Sequence, residues 1–142
     1  MKKIFLFLFL TFAISTPSVF AQKVVSTKEH KVVIHLTSND TLVHKAIVRQ
    51  MNNLLTAAPN AKIEIVCHSS GIEFLMAAKT KQAKGIAELK AKGVIFAACE
   101  NTMRERKIEK SEILSEAIYV PAGILEVIMK QEEGYSYIKA VN

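Results

Sequence analysis

In the stretch Val94-Ile95-Phe96-Ala97-Ala98-Cys99-Glu100-Asn101-Thr102-Met103, an apolar run stops at a cysteine and gives way to polar residues able to start a helix. Val94–Ala98 is apolar throughout, as a strand covered on both faces of a parallel sheet should be. Cys99 then stands at the carboxyl end of that strand, with the next helix beginning at once. In open parallel sheets ligands bind beyond those ends, and the free N–H groups of a helix start favour an anionic sulfur. Cys99 is therefore the leading candidate for chemistry, with the N–H groups of Asn101 and Thr102 placed to donate to it. A second reading stays open, because free cysteines also pack as small hydrophobes.

Working outward, strands and helices alternate. Lys31–Leu36 is a β-branched run, and Thr37–Asp40 behind it can cap a helix over Thr41–Leu55, where Val43, Ile47, Met51 and Leu54 repeat at helical spacing. Pro59-Asn60 ends that helix, and Lys62–Cys67 reads as a second strand followed by a turn at His68-Ser69-Ser70-Gly71. A helix over Gln82–Lys92 closes at Gly93 and feeds the Val94–Ala98 strand. Past Cys99, Ser111 is placed to cap ahead of Ile113 and Leu114. Ala117–Val120 reads as a fourth strand, Pro121-Ala122-Gly123 turns into a helix over Ile124–Glu132, and Tyr135–Ala140 forms a last edge strand. Short loops between alternating elements imply right-handed crossovers and a three-layer α/β/α sandwich around a mainly parallel five-stranded sheet.

The residues from Cys99-Glu100-Asn101-Thr102-Met103 through Arg106, Ile108, Leu114, Val120-Pro121-Ala122-Gly123-Ile124 and Glu126 to Gln131 and Gly134-Tyr135-Ser136-Tyr137-Ile138 resemble the DsrE/DsrF-like family. Earlier in the chain, His68 with Gly71-Ile72-Glu73 resembles the family's histidine and glycine-containing turn, and Asn52-Asn53-Leu54-Leu55 resembles its first helix end. The resemblance covers nearly all of residues 31–140 and implies a flavodoxin-like α/β domain. It also implies a persulfide-carrying cysteine at Cys99, a supporting pocket of Asn101, Thr102, His68 and Gly123, and assembly into trimers or hexamers. A homotrimer is expected, with Ile124, Ile128 and Met129 as apolar residues that a small sheet leaves uncovered.

The N-terminus reads as an export signal. Lys2 and Lys3 precede an apolar stretch, Ile4–Ile14, and Val19-Phe20-Ala21 offers small residues where signal peptidase inspects, so cleavage is expected after Ala21. That stretch is shorter than the ~20 residues of a spanning helix, which argues against stable membrane insertion. The expected organisation is a signal peptide over 1–21, a flexible lead-in over 22–30 and one domain over 31–142, in the periplasm or secreted. The family's relay proteins are cytoplasmic, so the sulfur donor or acceptor of an exported member is not named by the resemblance.

Charge and spacing narrow the remaining classes. Basic residues outnumber acidic ones by 19 to 13, and without Lys2 and Lys3 the net charge is about +4. Lys79, Lys81, Lys84, Lys90 and Lys92 lack interleaved aromatics and read as a solvated helix face, so no nucleic-acid partner is expected. His35 inside the first strand suits a core or interface position, and His44 borders the first helix's apolar stripe, where it can face a neighbouring subunit. His68, at a strand end, suits a base, an orienting residue or a satisfied loop histidine. No pair of these has zinc-motif spacing, and hydrolase, P-loop and dinucleotide signatures are absent, so neither metal nor cofactor is expected. Arg104 and Arg106 could add positive charge near the thiol. Cys67 and Cys99 are the two cysteines; with the first strand between theirs they would stand ~9.6 Å apart, beyond the ~7 Å reach of a disulfide. The expected protein is more a carrier than a turnover enzyme, with Cys99 passing on sulfane sulfur or otherwise acting as an exposed redox thiol; the rival is a non-catalytic small-ligand-binding or assembly module whose pocket Cys99 merely lines.

Overall fold

The computed structural model describes residues 25–140. The expected signal segment lies outside them. In chain order the elements are β1 (Lys31–Leu36), α1 (Thr41–Ala57), β2 (Lys62–Cys67), α2 (Ala83–Ala91), β3 (Ile95–Cys99), α3 (Glu100–Arg106), β4 (Ala117–Val120), α4 (Gly123–Glu132) and β5 (Ser136–Ala140), with 3₁₀ turns at Ser69–Phe74 and Lys110–Glu112. Asp40 caps α1 as expected, accepting from the Leu42 N–H at 2.7 Å. The second cap differs from expectation: Glu109 and Glu112 form a reciprocal capping box around Lys110–Glu112, and Ser111 lies inside that turn. Carboxylates at both ends of a three-residue span satisfy the free N–H groups without it.

All strand pairs are parallel, in the order β4-β3-β2-β1-β5. From β1 to β4 the chain steps in one direction, so right-handed crossovers place α1, α2 and α3 on one face. The return from β4 to β5 runs the other way and lays α4 across the opposite face, against β1, β2, β3 and β5. The first face carries the main core: Val32, Ile34, Leu36, Ile63, Ile65, Cys67, Phe96 and Ala98 pack against Val43, Ile47, Met51, Ile86 and Leu89. Each such large side chain contributes about 1.5–3 kcal/mol on burial. The second face has a small apolar centre of Val33, Val66, Ala97, Val120 and Val127, and it also buries His35 and Glu64.

This order corrects the separation expected for the cysteines. β2 and β3 are neighbours, with Cys67 opposite Ala98, and β1 lies on the far side of β2. Side chains alternate along a strand, so Cys99, one residue beyond Ala98, points to the other face from Cys67. The sheet itself keeps the two thiols apart, and both are free.

His44 also differs from expectation. It is 4% exposed, donates through Nε2 to the Ser38 carbonyl at 2.8 Å and packs 4.9 Å from the Phe74 ring, so it braces its own β1–α1 loop. In the segment before β1, Ser26 donates to the Ala57 carbonyl, the Thr27 carbonyl accepts from Asn60 and Glu29 pairs with Lys62. The lysines of the 79–92 segment are exposed; Lys84 reaches Glu88, and Lys92 donates to Asn52. Among the described residues no helix is long and apolar enough to cross a membrane.

Candidate functional site

Three elements meet over the carboxyl ends of β2 and β3. The first is α3, which starts directly from Cys99: the Cys99 side chain is its N-cap and accepts from the Thr102 N–H at 3.5 Å. The second is the start of α4, where the Gly123 N–H donates to Cys99 Sγ at 3.2 Å. It is brought there because β4 pairs beside β3, with Cys99 opposite Val120. The third is the turn after β2. Gly71 lets this turn lie against the end of β1, where a Cβ would come within 2.1 Å of the Leu36 carbonyl oxygen.

Thr102 ties two of these elements together. Its Oγ1 accepts from the Ser69 N–H at 3.0 Å, and its own N–H donates to the Cys99 sulfur. Arg106, on the next turn of α3, donates to the Ser69 carbonyl at 3.1 Å and pairs with Glu73 at 2.7 Å. Ser69 is thus held from both sides of its backbone, at a positive φ of 53°.

Cys99 is 4% exposed, which corrects the expectation of an exposed strand-end thiol: the starts of α3 and α4 both close on its sulfur. Burial pushes the thiol up, but the Thr102 hydroxyl and the N–H groups around it outweigh burial and hold it below its ordinary value. Asn101 contributes least. Its N–H donates to the Pro121 carbonyl at 3.2 Å, and its side chain accepts from Arg104 at the surface. Gly123 takes the donor place that the residue order suggested for Asn101. Arg104 and Arg106 make their bonds to Asn101, Ser69 and Glu73 rather than to the sulfur.

His68 lies beside this cluster and makes no hydrogen bond to the thiol among the described residues. A Cβ on Gly123 would stand 3.0 Å from His68 Cβ and 3.2 Å from its Cγ, so only glycine lets the start of α4 approach the ring and the sulfur together. The His68 Nε2 faces His35 Nε2 in a short hydrogen bond. The ring centroids are 4.7 Å apart and the planes differ by 18°. His35 Nδ1 in turn lies 2.9 Å from the Tyr137 hydroxyl on β5. Burial lowers both histidines, and His68 and Lys139 lower His35 further.

Below these, Glu64 is 1% exposed and reaches Lys130 of α4 at 3.6 Å, while its Oε1 has no hydrogen-bond partner among the described residues. Burial pushes its carboxyl up to about 7 despite the lysine, which Glu126 and Glu133 share. Neither the His35–His68 pairing nor Glu64 is apparent from the residue order alone. The available signal is a polar side chain at the same alternation position in two otherwise apolar strands. Among the described residues no group of three or more His, Cys, Asp or Glu side chains could hold a metal ion.

A five-stranded all-parallel sheet covered by helices, with a cysteine at a strand end under converging backbone amides, defines an α/β protein with a single-thiol site. The chain belongs to the DsrE/DsrF-like family, whose model matches residues 21–140. Membership suggests a sulfur-relay-related role. The chain is similar to the solved structure of MTH1491, a protein of unknown function from Methanobacterium thermoautotrophicum, with a TM-score of 0.74 and 27% identity over 78% of this chain and 99% of that one. No curated protein matches it.

Proposed function

We propose that Cys99 accepts and passes on sulfane sulfur as a persulfide. The observation that carries this reading is the convergence of the Thr102 and Gly123 N–H groups on one sulfur. Such donors stabilise the thiolate that must attack a donor's terminal sulfur. Incubation with polysulfide should add the mass of one sulfur atom, reversibly with a reductant, and Cys99→Ser should add none. Uptake by Cys99→Ser equal to that of the unsubstituted protein would refute the reading.

The burial of Cys99, together with exposed Ile124, Leu125, Ile128 and Met129 on α4, favours a second reading as a binding or assembly module. There the thiol would be only the N-cap of α3. The same apolar residues support assembly into a homotrimer, which light scattering coupled to gel filtration tests; a monomer at micromolar concentration would exclude it. Export to the periplasm rests on the segment from Lys2 to Ala21, and N-terminal sequencing should return Gln22.

A further inference from the structure

The α4 face holds a line of titratable groups that the thiol chemistry described so far leaves unused. Tyr137 is 42% exposed on the edge strand; its hydroxyl meets His35 Nδ1, and His35 Nε2 meets His68 Nε2. The last nitrogen, His68 Nδ1, has no hydrogen-bond partner among the described residues, and the His68 ring lies against Gly123, whose N–H holds the Cys99 sulfur. The line therefore runs from the half-exposed Tyr137 at the sheet edge to the His68 ring, whose Cβ, Cγ and Cδ2 are its nearest atoms to Gly123 beside the thiol.

With both rings neutral, the geometry admits two proton arrangements. In one, the Tyr137 hydroxyl donates to His35 Nδ1, His35 Nε2–H donates to His68 Nε2, and His68 carries its proton on Nδ1. In the other, every proton has moved one place toward Cys99: His68 Nε2–H donates to His35 and His35 Nδ1–H donates to Tyr137. The passage from the first to the second releases one proton at His68 Nδ1 and takes one up from water at Tyr137, without a charge resting on either ring. The lowered affinity of both histidines for an extra proton keeps them neutral near pH 7. The other charged and titratable groups on this face include Lys31 of β1, Glu64 of β2, Cys99 of β3, Lys139 of β5, Glu126 and Lys130 of α4, and Glu133 at the end of α4, which pairs with Lys130; of these, Lys139 acts on His35 directly.

We propose that Tyr137, His35 and His68 form a proton relay that serves sulfur transfer at Cys99, a role that rests on the carrier reading. The Cys99 thiolate attacks the outer sulfur of a persulfide, R–S–SH; an Sγ–S bond forms, the donor's S–S bond breaks, and its electron pair leaves on the inner sulfur as R–S⁻. No net oxidation occurs. R–S⁻ then takes the proton released at His68 Nδ1, which the relay replaces from solvent. His68 is the terminal donor; His35 and Tyr137 act through it as positioning residues.

The test compares two reactions of the same thiol. Alkylation by iodoacetamide expels iodide and needs no proton delivered, whereas sulfur uptake from glutathione persulfide expels a thiolate that does. Tyr137→Phe, conservative at a half-open edge position, should slow uptake roughly tenfold, and His68→Gln roughly a hundredfold. Both variants should alkylate at the rate of the unsubstituted protein across the pH range. Uptake by the unsubstituted protein should also slow in D₂O, and Tyr137→Phe should lose that sensitivity. Unchanged uptake in both variants, or a parallel fall of uptake and alkylation, overturns the relay while leaving the carrier reading intact. Absence of uptake at Cys99 in the unsubstituted protein overturns the carrier reading itself.

Discussion

Cys67 and Cys99 stand one register step apart on neighbouring strands, at 0% and 4% exposure, yet their thiols are driven in opposite directions. Burial alone acts on Cys67 and pushes it up; at Cys99 a burial penalty is outweighed by hydrogen bonds from Thr102 and Gly123. The difference lies in the face each occupies. Cys67 points into the apolar layer under α1 and α2, where the helices present only side chains. Cys99 points to the α4 face, where two helices begin and their unpaired N–H groups are aimed at it. A hydrogen bond to a charged group is worth roughly 1.5–3 kcal/mol, and one pKa unit corresponds to about 1.4 kcal/mol. Donors of that strength oppose the burial penalty directly, and at Cys99 they prevail.

The most severe way to break this contrast is labelling. In the folded protein at pH 8, iodoacetamide should modify one thiol per chain, at Cys99, and Cys99→Ser should abolish the fast phase entirely. Peptide mass mapping gives the site. Modification of Cys67 at a comparable rate would mean that strand-end position, and not the donor set, governs reactivity.

A second measurement sharpens the contrast between the faces, because the α4 face buries a carboxylate. The folded value of Glu64, about 7, lies above the ordinary 4.5, so the folded state binds the proton more tightly. Stability linked to Glu64 is complete below pH 4.5 and is lost as pH rises to about 7. Glu64→Gln should therefore stabilise the protein at pH 8 by roughly 2 kcal/mol and leave it unchanged near pH 4.5. Lys130 keeps Glu126 and Glu133 as partners in the variant. His35 and His68, with lowered values, contribute in the opposite sense: their share is present above pH 6.5 and is lost in acid. The difference between variant and unsubstituted protein in urea melts at the two pH values isolates Glu64. A destabilised variant at pH 8 would show that the Glu64–Lys130 pair is net favourable.

Much of this was legible in the residue order. β1, β2 and β4 have the expected bounds, because β-branched runs flanked by Asn, Pro and Gly leave little choice of strand limits. Cys99 stood out because an apolar strand passes into a helix with no loop between. Strand order was not legible: apolar strands carry no mark of their neighbours, and placing β1 between β2 and β3 gave the wrong reason for the free thiols. Gly123 was suggested by family resemblance, whereas its N–H bond to Cys99 depends on β4 pairing beside β3. The partnership of His35, His68 and Tyr137 likewise needs β1 between β2 and β5. Long-range pairing, not local pattern, assembles the α4 face.

A third measurement asks whether the Gly123 donor matters to the thiol. In Gly123→Ala the new methyl would lie 3.0 Å from His68 Cβ, tighter than van der Waals contact, so the start of α4 must retreat from β3 and its N–H···S bond must lengthen. The pH midpoint of Cys99 alkylation should rise by about one unit. An unchanged midpoint would assign the lowered thiol to Thr102 alone.

The smallest effect is expected where the contrast predicts no chemistry. Cys67→Ala removes one buried sulfur from the apolar layer and should cost about 1 kcal/mol in urea denaturation, at the low end of large-to-small core changes. Cys67→Ser should cost more, since it places a hydroxyl in a layer whose buried neighbours are aliphatic and aromatic side chains. In both variants the rate and pH midpoint of Cys99 alkylation should stay at the unsubstituted values. The two sulfurs lie on opposite sides of a hydrogen-bonded sheet, and a cavity on one side relaxes into the helices that cover it rather than through the strands. If Cys67→Ala shifts the Cys99 midpoint, the two faces are mechanically coupled, and the chemistry of the thin face then depends on the packing of the thick one.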